Sequence, residues 1–122
     1  MTDREELEIA VKALDSKKEK NITALKVDDL TILANYFVIA SASSTTQVKA
    51  LADEVEYQLG EKGVKPKGIE GYQSKEWIVL DYYDIIVHVF DKESRLFYDI
   101  ERIWRDGKIM EAGEFAEHAG VV

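Results

Sequence analysis

Residues 77–90 read WIVLDYYDIIVHVF, and this stretch decides the fold. We interpret it as two β-strands joined by a two-residue turn at Tyr83 and Asp84. One face of the resulting hairpin is then wholly apolar or aromatic and is predicted to lie in the core: Ile78, Leu80, Tyr82, Ile85, Val87 and Val89. Tyr83 is an unusual turn residue, because the turns favoured in two-residue hairpins require positive φ. A longer loop would shift the register and exchange the two faces.

The opposite face of the hairpin is mixed. It pairs Trp77 with Phe90, Val79 with His88 and Asp81 with Ile86. Leaving its four large apolar side chains in water would forgo roughly 1.5–3 kcal/mol each, so something should cover them. The cover is either the protein's own helices and C-terminal segment or another protein, since an apolar and aromatic centre with a few polar groups is typical of an interface core. A homodimer contact is a further alternative.

The rest of the chain predicts three helices and three more strands around this hairpin. A helix is expected over 3–19, an amphipathic one after an N-cap at Ser43 or Ser44, and a last one over 94–105. Strands are expected over 21–27, 36–41 and 67–70. The order α-β-β-α-β-β-β-α predicts a single α/β domain with a mixed five-stranded sheet over 1–106, followed by a loosely ordered tail over 107–122.

The last predicted helix carries a second unusual aromatic residue, Tyr98. The apolar residues of this helix form one broad arc: Leu96, Phe97, Ile100, Ile103 and Trp104. Tyr98 points away from that arc and lies among Arg95, Arg102 and Arg105. It is therefore either an exposed tyrosine stacked on arginine or an aromatic contact surrounded by hydrogen-bond donors.

The composition and charge of the chain exclude or disfavour several classes of protein. The chain has 122 residues, 13.9 kDa and no cysteine, which fits one domain and excludes disulfides and thiolate metal sites. A net charge of −8 disfavours nucleic acid as the main contact and suits a basic protein partner. The acidic start lacks an apolar signal core, and no apolar run is long enough for a membrane helix, so we expect a cytoplasmic protein that does not contact a membrane.

Catalytic machinery is not visible in the sequence. Asp81 and His88 could meet across the hairpin, but no nucleophile accompanies them, and a structural hydrogen bond is the simpler interpretation. The serines at 41–44 lack the glycine and lysine of a phosphate-binding loop, so they are interpreted as a helix cap. Asp28 and Asp29 have no zinc or EF-hand spacing around them. We predict no metal, no cofactor and no enzymatic activity.

Three motifs resemble the iojap family, the ribosomal silencing factors. The first is NYFVIASASS at 35–44 with QVKALAD at 47–53, the second is Glu70–Gly71 followed by 77–90, and the third is RLFYDIERIW at 95–104. The similarity runs from about Leu7 to Asp106.

The chain departs from the family pattern at three places. The family usually has Asp at the position of Asn35, Thr-Gly-Thr-Ser at 41–44 and Gly at the position of Tyr83. The second change removes a glycine and argues further against a ligand at that loop.

The resemblance implies a homodimeric α/β protein of nucleotidyltransferase-like topology. It implies binding to the large ribosomal subunit through universal large-subunit protein fourteen, which blocks association with the small subunit and represses translation under nutrient limitation. From the faces of the hairpin we place the partner contacts at Trp77, Val79, Asp81, His88 and Tyr98. The alternative suggested by the topology is a nucleotide-binding or nucleotidyltransferase-like enzyme, although the chain lacks the carboxylate pair on one strand that such an enzyme uses to hold magnesium.

Overall fold

The chain folds into a sheet with helices on both faces. This computed structural model describes residues 1–17, 21–28, 31–103 and 108–110. Its helices are α1 (Asp3–Asp15), α2 (Thr45–Glu61), α3 (Lys92–Tyr98) and α4 (Ile100–Ile103). Its strands are β1 (Thr23–Lys26), β2 (Tyr36–Ala42), β3 (Gly68–Glu70), β4 (Trp77–Asp81), β5 (Ile85–Asp91) and β6 (Lys108–Met110).

Capping residues fix the starts of the two long helices. The Thr2 hydroxyl accepts from the Glu5 N–H, and the Glu5 carboxylate accepts from the Thr2 N–H, so α1 begins with a capping box. Of the two serines predicted to cap α2, Ser44 does so by accepting from the Gln47 N–H. Both helices place their apolar stripes on one face of the sheet, where they bury the main core.

The sheet is mixed, as predicted, and has the strand order β3-β4-β5-β2-β1-β6. β2 and β5 pair in parallel at its centre, and the other neighbours are antiparallel. Every residue of β2 is buried, which explains its continuous apolar sequence. The α/β class and the five predicted strands are confirmed.

The structure adds a sixth strand that the sequence did not predict. Lys108–Met110 pairs with β1 within the segment expected to be a loose tail, so that expectation is wrong for these three residues. The strand is held by backbone hydrogen bonds to a distant part of the chain, which a three-residue sequence pattern does not reveal. The rest of the predicted tail, 111–122, lies outside the described residues.

The hairpin has the predicted register. Trp77 pairs with Phe90, and the Tyr82 N–H donates to the Ile85 carbonyl at 2.9 Å to close a two-residue turn. Tyr83 takes the positive φ of 71° that made it unusual as a turn residue. The Asp81 carboxylate compensates in part by accepting from the Tyr83 N–H at 2.9 Å. All six residues predicted on the core face are buried.

The last predicted helix is interrupted. Asp99 adopts a left-handed conformation with φ 46° and ψ 50°, which ends α3 and lets α4 start in a new direction. The apolar arc expected from one continuous helix is therefore wrong: Leu96 and Phe97 are each 81% exposed, whereas Ile100 is buried. The side chains of Ile103, Trp104 and Arg105 lie outside the described residues.

Candidate protein-binding face

The candidate site lies on the side of β4 and β5 that faces away from α1 and α2. We call this side the outer face, and its residues are Trp77, Val79, Asp81, Ile86, His88 and Phe90. Phe90 is fully buried in a second, smaller core with Ile39 and Ile100, while Trp77 and Ile86 pack at the edge of that core. The protein's own residues thus cover part of the outer face and leave Trp77, Val79 and Ile86 half-buried.

One end of the outer face is an aromatic cluster. The Trp77 ring stacks on Phe90 with centroids 4.9 Å apart and contacts Tyr98 of α3 at 4.7 Å. Tyr98 is 45% exposed, and it rests on the sheet instead of pointing away from it. Tyr98 therefore covers one side of the Trp77 indole, a contact that neither interpretation from the sequence included.

His88 holds Trp77 in this cluster. Its Nδ1 atom accepts a hydrogen bond from the Trp77 Nε1–H at 3.1 Å, and its ring packs edge-on against Phe37. His88 is only 8% exposed, and this burial lowers its pKa to about 4. The hydrogen bond between His88 and Asp81 considered from the sequence is not formed, since the Asp81 carboxylate bonds to the hairpin turn instead.

The other end of the outer face is a groove between β3, the turn of the hairpin and the loop before β2. It consists of two adjoining cavities of about 370 and 380 Å³, which share Lys67, Asp81 and Ile86. Val79 lies on the floor of one cavity. The rim of the other carries three strongly exposed apolar or aromatic side chains: Ile32, Leu33 and Tyr83.

The charges lining the groove are mainly negative. Glu70, Asp81 and Asp84 stand against the single ammonium group of Lys67. Carboxylates around half-buried apolar side chains favour a partner that presents basic and apolar residues together. The groove thus combines shape, apolar area and charge in one place.

The five residues predicted as partner contacts fall into two groups. Trp77, His88 and Tyr98 meet in the aromatic cluster, whereas Val79 and Asp81 line the groove. Sequence reasoning missed Lys67, Ile32 and Leu33 as groove residues. The adjacent apolar pair Ile32 and Leu33 in a connecting loop was the available signal, because large apolar residues at an exposed loop tip often mark a contact.

The described residues form a small α/β domain. Among the described residues, no group of three histidine, aspartate or glutamate side chains could hold a metal ion. In the part of the chain that the structure describes, no helix has the length and apolar character required to cross a bilayer. The outer face presents half-buried apolar side chains beside an acidic groove.

Comparisons with known proteins identify the family. The family described as ribosomal silencing factor during starvation matches residues 1–120. Ribosomal silencing factors from Halalkalibacterium halodurans and Bacillus subtilis are each 36% identical to this chain, over 91% and 89% of its length and 95% and 92% of theirs. A crystal structure of a Chromobacterium violaceum protein superposes with a TM-score of 0.84 at 39% identity, covering 92% of this chain and 93% of that one. The chain belongs to the ribosomal silencing factor family.

Proposed function

We propose that this protein binds the large ribosomal subunit through universal large-subunit protein fourteen. By occupying that surface it blocks association with the small subunit and represses translation under nutrient limitation. Family membership supports the ribosome as the target. The observation that carries the proposal is the groove, where half-buried Val79 and Ile86 lie beside the carboxylate of Asp81.

The charge of the protein fits this partner class. A net charge of −8 is repelled by the phosphates of ribosomal RNA, so a basic ribosomal protein is the expected contact. Attraction between exposed charges is screened beyond a Debye length of ~8–10 Å, so binding should weaken as salt is added.

The five proposed contact residues have different roles in binding. Val79 and Asp81 contact the partner in the groove, and Trp77 and Tyr98 extend the contact along the outer face. His88 acts mainly through Trp77, because its own exposed area is small. The proposal includes a homodimer, a cytoplasmic location and action by binding, without catalysis.

Cosedimentation with purified ribosomal subunits tests the proposal. The parent protein should pellet with large subunits and leave small subunits unbound. Asp81→Asn keeps an oxygen that can accept from the Tyr83 N–H but removes the charge, so it should weaken binding about fivefold to tenfold. Glu56→Gln is the matched control, because it removes one charge from an exposed site on α2, on the other face of the sheet.

Specific outcomes would contradict the proposal. Equal sedimentation with both subunits, or with neither, would exclude a large-subunit factor. Equal weakening by Asp81→Asn and Glu56→Gln would show that only overall charge matters and that the groove is not the contact. Light scattering on the same samples measures whether the protein is a dimer.

A further inference from the structure

A separate cavity lies where α3 meets the start of β1 and the end of β2. Its volume is about 450 Å³, and it is lined by Asn21, Ile22, Thr23, Ser41, Lys92, Arg95 and Leu96. Among the described residues that line it, Lys92 and Arg95 are cationic and none is a carboxylate. These two cations belong to a chain whose net charge is −8.

Arg95 is fixed across the floor of this cavity. Its Nη1 atom donates to the Asn21 carbonyl and to the Ser41 hydroxyl, the latter at 3.1 Å. Its Nη2 atom donates to the Thr23 hydroxyl at 3.1 Å. Three partners from two strands and a loop hold the guanidinium plane in one orientation, so its charge is already positioned before any ligand arrives.

The two hydroxyls are arranged to donate. Ser41 and Thr23 each accept from Arg95, which leaves the hydrogen of each hydroxyl directed elsewhere. Among the described residues neither hydroxyl donates to a protein acceptor. Ser41 is 3% exposed and lines the cavity, so a new acceptor for its hydrogen has to enter the cavity. Buried hydroxyls normally find an acceptor, and an oxyanion in the cavity would supply one.

Lys92 adds a second cation at the mouth of the cavity. Among the described residues it forms no ion pair, whereas four other lysine or arginine side chains do. The cavity therefore presents two cations and two hydroxyl donors together. This donor set is complementary to the oxygens of a phosphate group.

We propose that this cavity binds the phosphate group of a small molecule. The site does not use the backbone of the loop at 41–44, whose lack of glycine argued against a phosphate loop; it uses the Ser41 side chain instead. The cavity is larger than one phosphate, and Ile22 and Leu96 add apolar lining, so there is room for an organic group attached to the phosphate. This site is independent of the groove that the ribosomal proposal uses.

Calorimetric titration with pyrophosphate, ADP and adenosine at fixed ionic strength tests the proposal. Pyrophosphate and ADP should give saturable binding, and adenosine should not. Tighter binding of ADP than of pyrophosphate would identify a nucleotide as the source of the phosphate, and equal binding would identify a simple phosphate anion.

Variants distinguish binding in this cavity from nonspecific attraction of anions to positive charge. Lys92→Gln should weaken ADP and pyrophosphate about tenfold, because it removes a charged hydrogen-bond donor. Thr23→Val should weaken them about fivefold without changing the charge. Lys62→Gln is the control, because Lys62 is exposed at the end of α2 and does not line the cavity.

Three results would overturn the proposal. These are absence of saturable binding by either phosphate compound, adenosine binding as tight as that of ADP, and equal weakening by Lys62→Gln and Lys92→Gln. The first would leave Arg95 as a purely structural link between α3 and the sheet. Each result leaves the ribosomal proposal untouched, because the described lining of this cavity includes neither a groove residue nor any of the five proposed partner contacts.

Discussion

The indole N–H of Trp77 donates to Nδ1 of His88 at 3.1 Å, and this bond determines the tautomer of the neutral imidazole. Because Nδ1 accepts, the neutral ring carries its hydrogen on Nε2. That Nε2 atom is buried and has no acceptor among the described residues. A protonated ring would lose the bond to Trp77 and place a charge in the second core. The position of Trp77 on the outer face therefore depends on a neutral His88.

We predict that His88 makes the protein acid-sensitive. Its pKa is about 4 in the folded protein against an ordinary value of 6.5, so the unfolded chain binds the proton first as the pH falls. The contribution of His88 to stability is complete above pH 6.5 and should decline by about 3 kcal/mol by pH 4. Urea unfolding at pH 7.5, 6, 5 and 4 measures this decline.

His88→Gln is the control for this prediction. The glutamine side-chain oxygen can accept the hydrogen bond from Trp77, but glutamine does not titrate. The variant keeps all the carboxylates of the parent, so their titration affects both proteins alike. The stability of the variant should fall less than that of the parent between pH 6.5 and 4. Parallel curves for the two proteins would contradict the prediction.

Adjacent residues on β4 should respond differently to truncation. Leu80 is fully buried in the main core, so Leu80→Ala should lower the free energy of unfolding by about 2–5 kcal/mol through the cavity it leaves. Val79 points to the outer face and is half-buried, so Val79→Ala should cost about 1 kcal/mol or less. Chemical denaturation measures both. A larger loss for Val79→Ala would mean that the two faces of the hairpin are exchanged.

The hairpin could be predicted because its information is local. Alternation of side chains and a two-residue turn determine the partners of 77–90 without reference to the rest of the chain. The break in the last helix was not predictable in this way, since Asp99 adopts a conformation that aspartate takes only occasionally. The bonds from Arg95 to Asn21 and Thr23 join residues more than 70 positions apart, and no sequence period encodes them.

The candidate site was also predicted only where it depends on local sequence. The composition of the outer face followed from the hairpin, so Trp77, Val79 and Asp81 were found. The groove also requires Lys67 and the loop carrying Ile32, which tertiary packing brings beside the hairpin turn. Likewise, Tyr98 contacts Trp77 only because α3 ends over β4 and β5, and a helical projection of 94–105 placed it elsewhere.

The hairpin turn should be stabilised by a residue that tolerates positive φ. Tyr83 has φ 71°, where an ordinary side chain costs roughly 1–2 kcal/mol. Tyr83→Gly removes that cost but adds unfolded-state entropy, so the expected net gain in stability is about 0.5 kcal/mol. The stability of Tyr83→Asn should lie between those of the parent and of Tyr83→Gly. Tyr83→Val should lower the stability, because β-branched residues tolerate positive φ least. Thermal unfolding of the series measures the order, and a Val variant as stable as the Gly variant would contradict it.

Gly71 should be the least replaceable glycine among those that precede the hairpin. It has φ +79°, and a Cβ atom there would collide with the carbonyl oxygen of Trp77. Backbone cannot move aside as a flexible side chain can, so the start of β4 would have to shift. Gly71→Ala should therefore lower the free energy of unfolding by about 2–4 kcal/mol, since strain and overpacking add.

Gly68→Ala is the matched control for this substitution. Gly68 lies in β3, has no positive φ, and a Cβ atom there would meet nothing within 4 Å. Its replacement should change stability by less than about 0.5 kcal/mol, as surface substitutions usually do. Urea unfolding gives the two stabilities, and tryptophan fluorescence in the folded state should shift only for Gly71→Ala, because the displaced carbonyl belongs to Trp77. Equal stabilities and unchanged fluorescence for both variants would show that β4 tolerates the shift and that the placement of Trp77 does not depend on Gly71.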